Sequence, residues 1–207
     1  MKKFFGVRNN TTEESDDDSS TQSTVKTINN SIYFYADVDD SNILELISQL
    51  KELETKLLKV SIEYPEFSPK ITLHIKSDGG DIFAGFSAFD HIRTSRVPVV
   101  TVVDGCCASA ATFMLMGGAK RYMGSSAYVL IHQLSSGMLG KYHEMKDEIQ
   151  SFDKFMNSLK RIYEERTSIP PKKLSAMMKK DIYLTSADCI KYGIVDDLLS
   201  VNDPCTA

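Results

Sequence analysis

The sequence predicts an α/β domain built on a mostly parallel sheet, and three observations carry that expectation. Short, mostly apolar runs at 71–75, 99–103 and 127–131 alternate with longer segments of helical periodicity. Strands that are apolar on both sides belong to a sheet covered by helices on both faces. The chain has 207 residues, 42% of them hydrophobic, enough to bury one substantial core. Finally, the apolar strand at 99–103 runs through Asp104-Gly105-Cys106-Cys107-Ala108 into Ser109 and a helix of small residues.

Taken in order, residues 1–30 are polar and acidic, with Asn9-Asn10-Thr11-Thr12-Glu13-Glu14-Ser15-Asp16-Asp17-Asp18 as their centre. Such a segment buries too little apolar area to offset chain entropy, and a disordered tail is predicted there, with the folded domain spanning 31–199. Ile32-Tyr33-Phe34-Tyr35 forms the first strand. Asp40 or Ser41 caps a helix whose apolar face is Ile43, Leu46, Ile47, Leu50, Leu53 and Leu57. The turn-rich Tyr64-Pro65-Glu66-Phe67-Ser68-Pro69 leads into strand 71–75. After Gly79-Gly80 a helix runs through Phe83, Phe86, Phe89 and Ile92 and stops before Pro98. Strand 99–103, the helix at Ser109 and strand 127–131 follow.

Residues 141–166 form a long helix with Tyr142, Met145, Ile149, Phe152, Met156, Leu159 and Tyr163 spaced 3-4-3-4, widened by Phe155 and Ile162. A stripe of that length exceeds what one domain surface needs, which predicts an arm packed on another subunit. A capped helix at 186–192, Gly193 as its stop and a strand at Ile194-Val195 complete the fold, leaving 200–207 as a short tail.

The net charge is −4, and no segment interleaves basic and aromatic residues, which argues against a nucleic-acid partner. No apolar run reaches membrane-spanning length and the N-terminus lacks a signal-peptide core, so a soluble chain without a membrane partner is expected. Cys106, Cys107, Cys189 and Cys205 show no zinc-type spacing and read as reduced thiols in a cytoplasm. No cofactor or metal is expected.

The chemistry concentrates at the strand ends. Ser109 starts a helix, where backbone N–H groups lack intrahelical partners, which is where acyl-transfer enzymes present a nucleophile. The Gly79-Gly80 pair, at the end of another apolar strand, offers a second exposed N–H where a side chain would block a substrate carbonyl. Of four histidines, His74 lies inside a strand pattern, His91 in a helix and His143 at the start of the arm. His132 alone ends a strand and opens a Ser135-Ser136-Gly137 loop, where catalytic groups gather in parallel sheets. For the acid that orients the imidazole, Asp181 and Asp104 are both open on spacing.

Five segments in register now carry a resemblance: Ser77-Asp78-Gly79-Gly80-Asp81-Ile82-Phe83-Ala84-Gly85, Ala108-Ser109-Ala110, Ile131-His132-Gln133, Lys180-Asp181-Ile182-Tyr183-Leu184-Thr185 and Tyr192-Gly193-Ile194-Val195-Asp196. In order and spacing they resemble the proteolytic subunit of the Clp protease over about residues 31–199. The resemblance implies a serine endopeptidase with a Ser109, His132 and Asp181 triad and the backbone N–H groups of Gly80 and Ala110 as oxyanion donors. It implies a crotonase-like fold of ββα repeats with a protruding handle at about 133–166, and a homo-oligomer of two stacked heptameric rings enclosing the sites. Unfolded proteins or peptides are then the substrates, delivered by a ring-shaped ATPase unfoldase that uses the ATP. Alternatives are a dedicated assembly or scaffold-processing protease and a crotonase-type acyl-CoA enzyme. The chain departs from the family pattern at Asp78 and Leu134, where proline is usual, and at Ser135-Ser136, where Gly-Gly is usual. It also departs at His74, where an aromatic usually faces the ATPase, and in the acidic tail that replaces an N-terminal helix.

Overall fold

The computed structural model describes residues 24–137 and 139–200. Their strands form one sheet in the order β1 (Val25–Ile28), β2 (Ser31–Phe34), β3 (Ile71–Ser77), β4 (Val99–Ala108), β5 (Lys120–Met123) and β7 (Asp197–Leu198), with β6 (Tyr128–Leu130) paired to the far half of β4. Only β1 with β2 is antiparallel; every other pairing between these strands is parallel. The expected α/β class with a mostly parallel sheet is therefore what the chain adopts.

Each strand is apolar for a reason visible in its burial. Ile71, Leu73 and Ile75 of β3 and Val99, Val102 and Val103 of β4 lie in the core, covered by helices. Helix α1 (Asp40–Glu63) starts at Asp39, not at Asp40 or Ser41, because the Asp39 carboxylate accepts from the Asn42 N–H at 2.8 Å. Its buried face is Ile43, Leu46, Leu50, Leu53 and Leu57 as the periodicity requires, with Ile47 only partly covered. Truncating a fully buried leucine such as Leu50 to alanine costs about 2–5 kcal/mol. The helix ends before Pro65, whose ring disfavours helical backbone at Tyr64. Glu54 is buried on the same helix and is satisfied by Arg96 Nε at 2.6 Å, Ser95 Oγ at 3.1 Å and Lys51 Nζ at 3.3 Å.

Helix α2 (Ile82–Arg93) is capped by Asp81, whose carboxylate accepts from the N–H groups of Phe83 and Ala84. Helix α3 (Ala111–Gly117) packs against α2 and is buried throughout. Helix α4 (Tyr142–Arg166) is the long arm, followed by α5 (Pro171–Met177) and α6 (Ser186–Lys191). In α4 the stripe divides: Leu159, Ile162 and Tyr163 are buried, whereas Tyr142 and Ile149 are 69% and 51% exposed. No helix among the described residues is long and apolar enough to cross a membrane.

Two boundaries differ from expectation. Order begins before residue 31, because Val25–Ile28 pairs with β2 through a turn at Asn29, burying Val25. The remainder of the expected tail, residues 1–23, lies outside the described residues, as does most of the C-terminal one. The last strand is Asp197–Leu198; Ile194 and Val195 are buried in the turn after α6 instead.

Candidate active site

Strand β4 bends at Asp104 and Gly105, after which Cys106–Ala108 leaves β5 and runs beside β6. Ser109 follows at the tip. Its N–H donates to the Leu130 carbonyl at 2.9 Å, and its φ of +55° places a non-glycine residue in the left-handed region. A serine held in that conformation on a sharp strand-to-helix turn has its hydroxyl pushed clear of the backbone.

Gly79 and Gly80 lie across from this turn. A Cβ at Gly79 would come within 2.6 Å of Ser109 Cβ, and one at Gly80 within 2.2 Å of the Val38 carbonyl oxygen. Both also have positive φ, of 100° and 152°. Val38 donates to the Gly79 carbonyl at 2.9 Å and accepts from the Asp81 N–H at 2.7 Å. In a parallel bridge of this kind the intervening residue, Gly80, turns its own N–H away from Val38. Ala110 is the N-cap residue of α3, ahead of that helix's first N–H with an intrahelical acceptor.

His132 stands two residues past the end of β6. Gln133 ties the following chain to α5 by donating to the Met178 carbonyl at 2.8 Å. The segment after α5 returns alongside β6, where Val129 and Leu184 exchange backbone hydrogen bonds of 3.1 and 2.7 Å. That return sets Asp181 Oδ1 3.3 Å from His132 Nδ1. The Asp181 side chain is 78% exposed, and among the described residues no hydrogen bond joins the Ser109 hydroxyl to His132. Hydrogen bonds between such groups are often long without substrate and tighten when it binds. Asp104 is not beside His132. Its carboxylate pairs with His74 Nδ1 at 2.9 Å and accepts from the Tyr35 hydroxyl at 2.8 Å, which removes it as the orienting acid.

Ser109, Ala110, Gly80 and His132 line one cavity of about 420 Å³. Its far wall is aromatic, with Phe83 and Phe155 edge to face at 5.1 Å and Phe152 beside Phe155 at 6.2 Å. The cavity thus brings a serine, a histidine and the backbone of Gly80 and Ala110 together beside an apolar recess. The nearby thiols are poor rival nucleophiles: burial, then the Asp78 carboxylate, pushes Cys106 up to about 11, and burial holds Cys107 well above its usual range. Sequence reasoning did not find Phe83 or Phe155 as cavity wall, although the helical spacing of both was visible. Among the described residues no three His, Cys, Asp or Glu side chains are gathered to hold a metal ion.

The sequence profile of the Clp protease matches residues 16–202. The chain belongs to the Clp protease family. Within that family it is similar to the ATP-dependent Clp protease proteolytic subunits of Deinococcus radiodurans, at 29% identity over 70% of this chain and 71% of the relative, and of Pleurastrum terricola, at 29% over 80% and 81%. Proteolytic subunit 1 of Borreliella burgdorferi is 28% identical over 81% of this chain and 83% of its own. The fold agrees: a point mutant of ClpP1 from Listeria monocytogenes superposes with a TM-score of 0.73, covering 85% of this chain and 94% of that one at 22% identity. Family membership makes this chain a Clp-type serine peptidase.

Proposed function

We propose that Ser109 is the nucleophile, His132 the general base and acid, and Asp181 the group that orients His132. The observation that carries this reading is the convergence of Ser109, His132, Gly80 and Ala110 on one cavity, with His132 Nδ1 turned to Asp181. A carboxylate at Nδ1 keeps the proton on that nitrogen and leaves Nε2 to accept. His132 Nε2 takes the Ser109 proton as Oγ attacks the peptide carbonyl, and returns it to the departing amine. The carbonyl oxygen, now anionic, receives the N–H groups of Gly80 and Ala110, each worth about 10²–10³ in rate. Water then repeats the sequence and releases the acyl group.

The substrates in this reading are unfolded proteins and peptides, and their delivery falls to an ATPase partner, as the names of the ATP-dependent relatives suggest. The half-exposed apolar stripe of α4, with Tyr142 and Ile149 uncovered, supports pairing of arms between copies in stacked rings. Such a particle works in the cytoplasm, and the tail of residues 1 to about 30 affects access or partner choice without taking part in the chemistry. The particle is expected to sediment far above monomer mass, and an active compact monomer would rule out the arm pairing.

A fluorophosphonate probe tests the assignment of Ser109. Peptide mapping is expected to recover the adduct on Ser109 alone, with Ser109→Ala unlabelled. An adduct on another serine of the folded protein would overturn it.

A further inference from the structure

We infer that Thr112 and Tyr163 are positioning residues that aim the Ala110 N–H and hold the left-handed backbone of Ser109, an inference that rests on Ser109 being the nucleophile. The Ser109 carbonyl and the Ala110 N–H belong to one planar trans peptide unit and point in opposite directions. Whatever holds that carbonyl therefore aims that N–H. Two groups of one residue hold it: Thr112 N–H donates to Ser109 O at 3.0 Å and Thr112 Oγ1 donates to the same oxygen at 2.6 Å.

The hydroxyl is itself fixed from α4. Thr112 Oγ1 and the Tyr163 hydroxyl are 2.5 Å apart. A threonine hydroxyl has one hydrogen, and Thr112 directs it to Ser109 O, so the Tyr163 phenol is the donor in this contact. Burial raises the Tyr163 phenol far above its ordinary range, so it remains a neutral donor wherever the protein is folded. Both side chains are fully buried, and Tyr163 also lines the cavity that holds Ser109. The chain of donors thus runs Tyr163 to Thr112 to the Ser109 carbonyl, from the arm helix to the peptide that carries the proposed oxyanion donor.

A competing account gives Thr112 a structural role only. Helix α3 has no side-chain cap at Ala110, and a threonine in the first turn could simply steady it. The two accounts part on kinetics. A group that aims an oxyanion donor acts on the transition state, so its loss lowers kcat and leaves KM nearly alone. A helix support changes how much protein is folded and leaves each folded site at full rate.

The experiment compares the full chain with Thr112→Val, Thr112→Ser, Tyr163→Phe and the Thr112→Val/Tyr163→Phe double variant on a small fluorogenic peptide. Sites are counted by fluorophosphonate titration. Labelling of the unsubstituted protein at Ser109 comes first. If it fails, the nucleophile assignment falls; if it succeeds, the variants test the positioning alone. Thr112→Val is expected to lower kcat per site ~10–100-fold with KM within about twofold. Thr112→Ser, which keeps Oγ, is expected to return to within a few-fold of the parent. Tyr163→Phe is expected to lose ~3–10-fold, and the double variant no more than Thr112→Val, because the two act in series. An unchanged kcat per site in Thr112→Val, failure of serine to restore it, or losses that add would overturn the inference. Should Thr112→Val not fold, Tyr163→Phe decides: full kcat per site overturns it, and a loss in kcat at constant KM supports it.

Discussion

Among the described residues two histidine–aspartate pairs stand out, and the better-formed one is not beside the serine. His74 Nδ1 sits 2.9 Å from Asp104, with side chains 10% and 24% exposed, whereas His132 Nδ1 sits 3.3 Å from Asp181, which is 78% exposed. The first pair is saturated with structural partners. The His74 ring stacks on Tyr33 at 4.5 Å, and the Asp104 carboxylate also takes the Tyr35 hydroxyl. His74 lies inside β3 and Asp104 on the adjacent β4, so the pair sits between neighbouring strands of the sheet. In the second pair His132 stands just past the end of β6 and lines the cavity of Ser109 and Gly80. A short contact between imidazole and carboxylate therefore identifies a rigid network, and what the other nitrogen can reach decides whether the pair does chemistry.

The contrast breaks most visibly at the imidazoles. His132→Gln is expected to lower kcat/KM for a small peptide by ~10⁴-fold or more, since the proposed base is removed. His74→Gln is expected to stay within about threefold of the parent. The reverse result would transfer the chemistry to the tight pair.

The carboxylates give the next largest effect. Asp181→Asn is expected to cost about 10²-fold in kcat/KM, less than the ~10⁴-fold typical of a buried triad aspartate, because solvent already screens this one. Asp104→Asn leaves the peptidase within a few-fold. It is expected to lower the unfolding free energy by about 1–3 kcal/mol in urea, as His74 and Tyr35 lose a charged partner.

A third carboxylate sharpens the distinction with the smallest effect on activity. Burial raises the Glu54 carboxyl, but hydrogen bonds from Arg96, Ser95 and Lys51 outweigh that and hold it below its ordinary range. A depressed folded value stabilises the protein while the group is ionised. The contribution is present above the ordinary carboxylate pKa and disappears as pH falls through the folded value. Glu54→Gln is therefore expected to be less stable than the parent at pH 7, with the gap narrowing in urea melts below about pH 4, and unchanged in kcat per site. A gap independent of pH would mean the pairing contributes nothing through its charge.

Much of this contrast is legible in the sequence, and its limits are physical. Ser109, Gly80 and His132 are readable because each is a local event: a small-residue helix after an apolar strand, a Gly-Gly pair at a strand end, a histidine before a flexible loop. The choice between Asp181 and Asp104 is not local. It depends on Leu184 pairing with Val129, a contact between segments far apart in the chain, and composition cannot foresee it. Strand β1 was hidden because Val-Lys-Thr-Ile has one buried residue and three exposed ones, hardly distinguishable from the polar tail before it. Strand β5, Lys-Arg-Tyr-Met, and β7, two residues long, likewise carry no apolar run of their own; their neighbours in the sheet supply the pattern. The division of α4 into a buried C-terminal half and an exposed N-terminal half is equally invisible in a stripe of constant spacing.

The most direct test is the rate at which a fluorophosphonate modifies Ser109 in the parent, His132→Gln and His74→Gln proteins at neutral pH. The account predicts fast modification of Ser109 in the parent, a similar rate in His74→Gln, and near-complete loss of the reaction in His132→Gln. Fast modification of Ser109 in His132→Gln, or its loss in His74→Gln, would contradict the claim that the looser pair, with its exposed carboxylate, is the one that activates the serine.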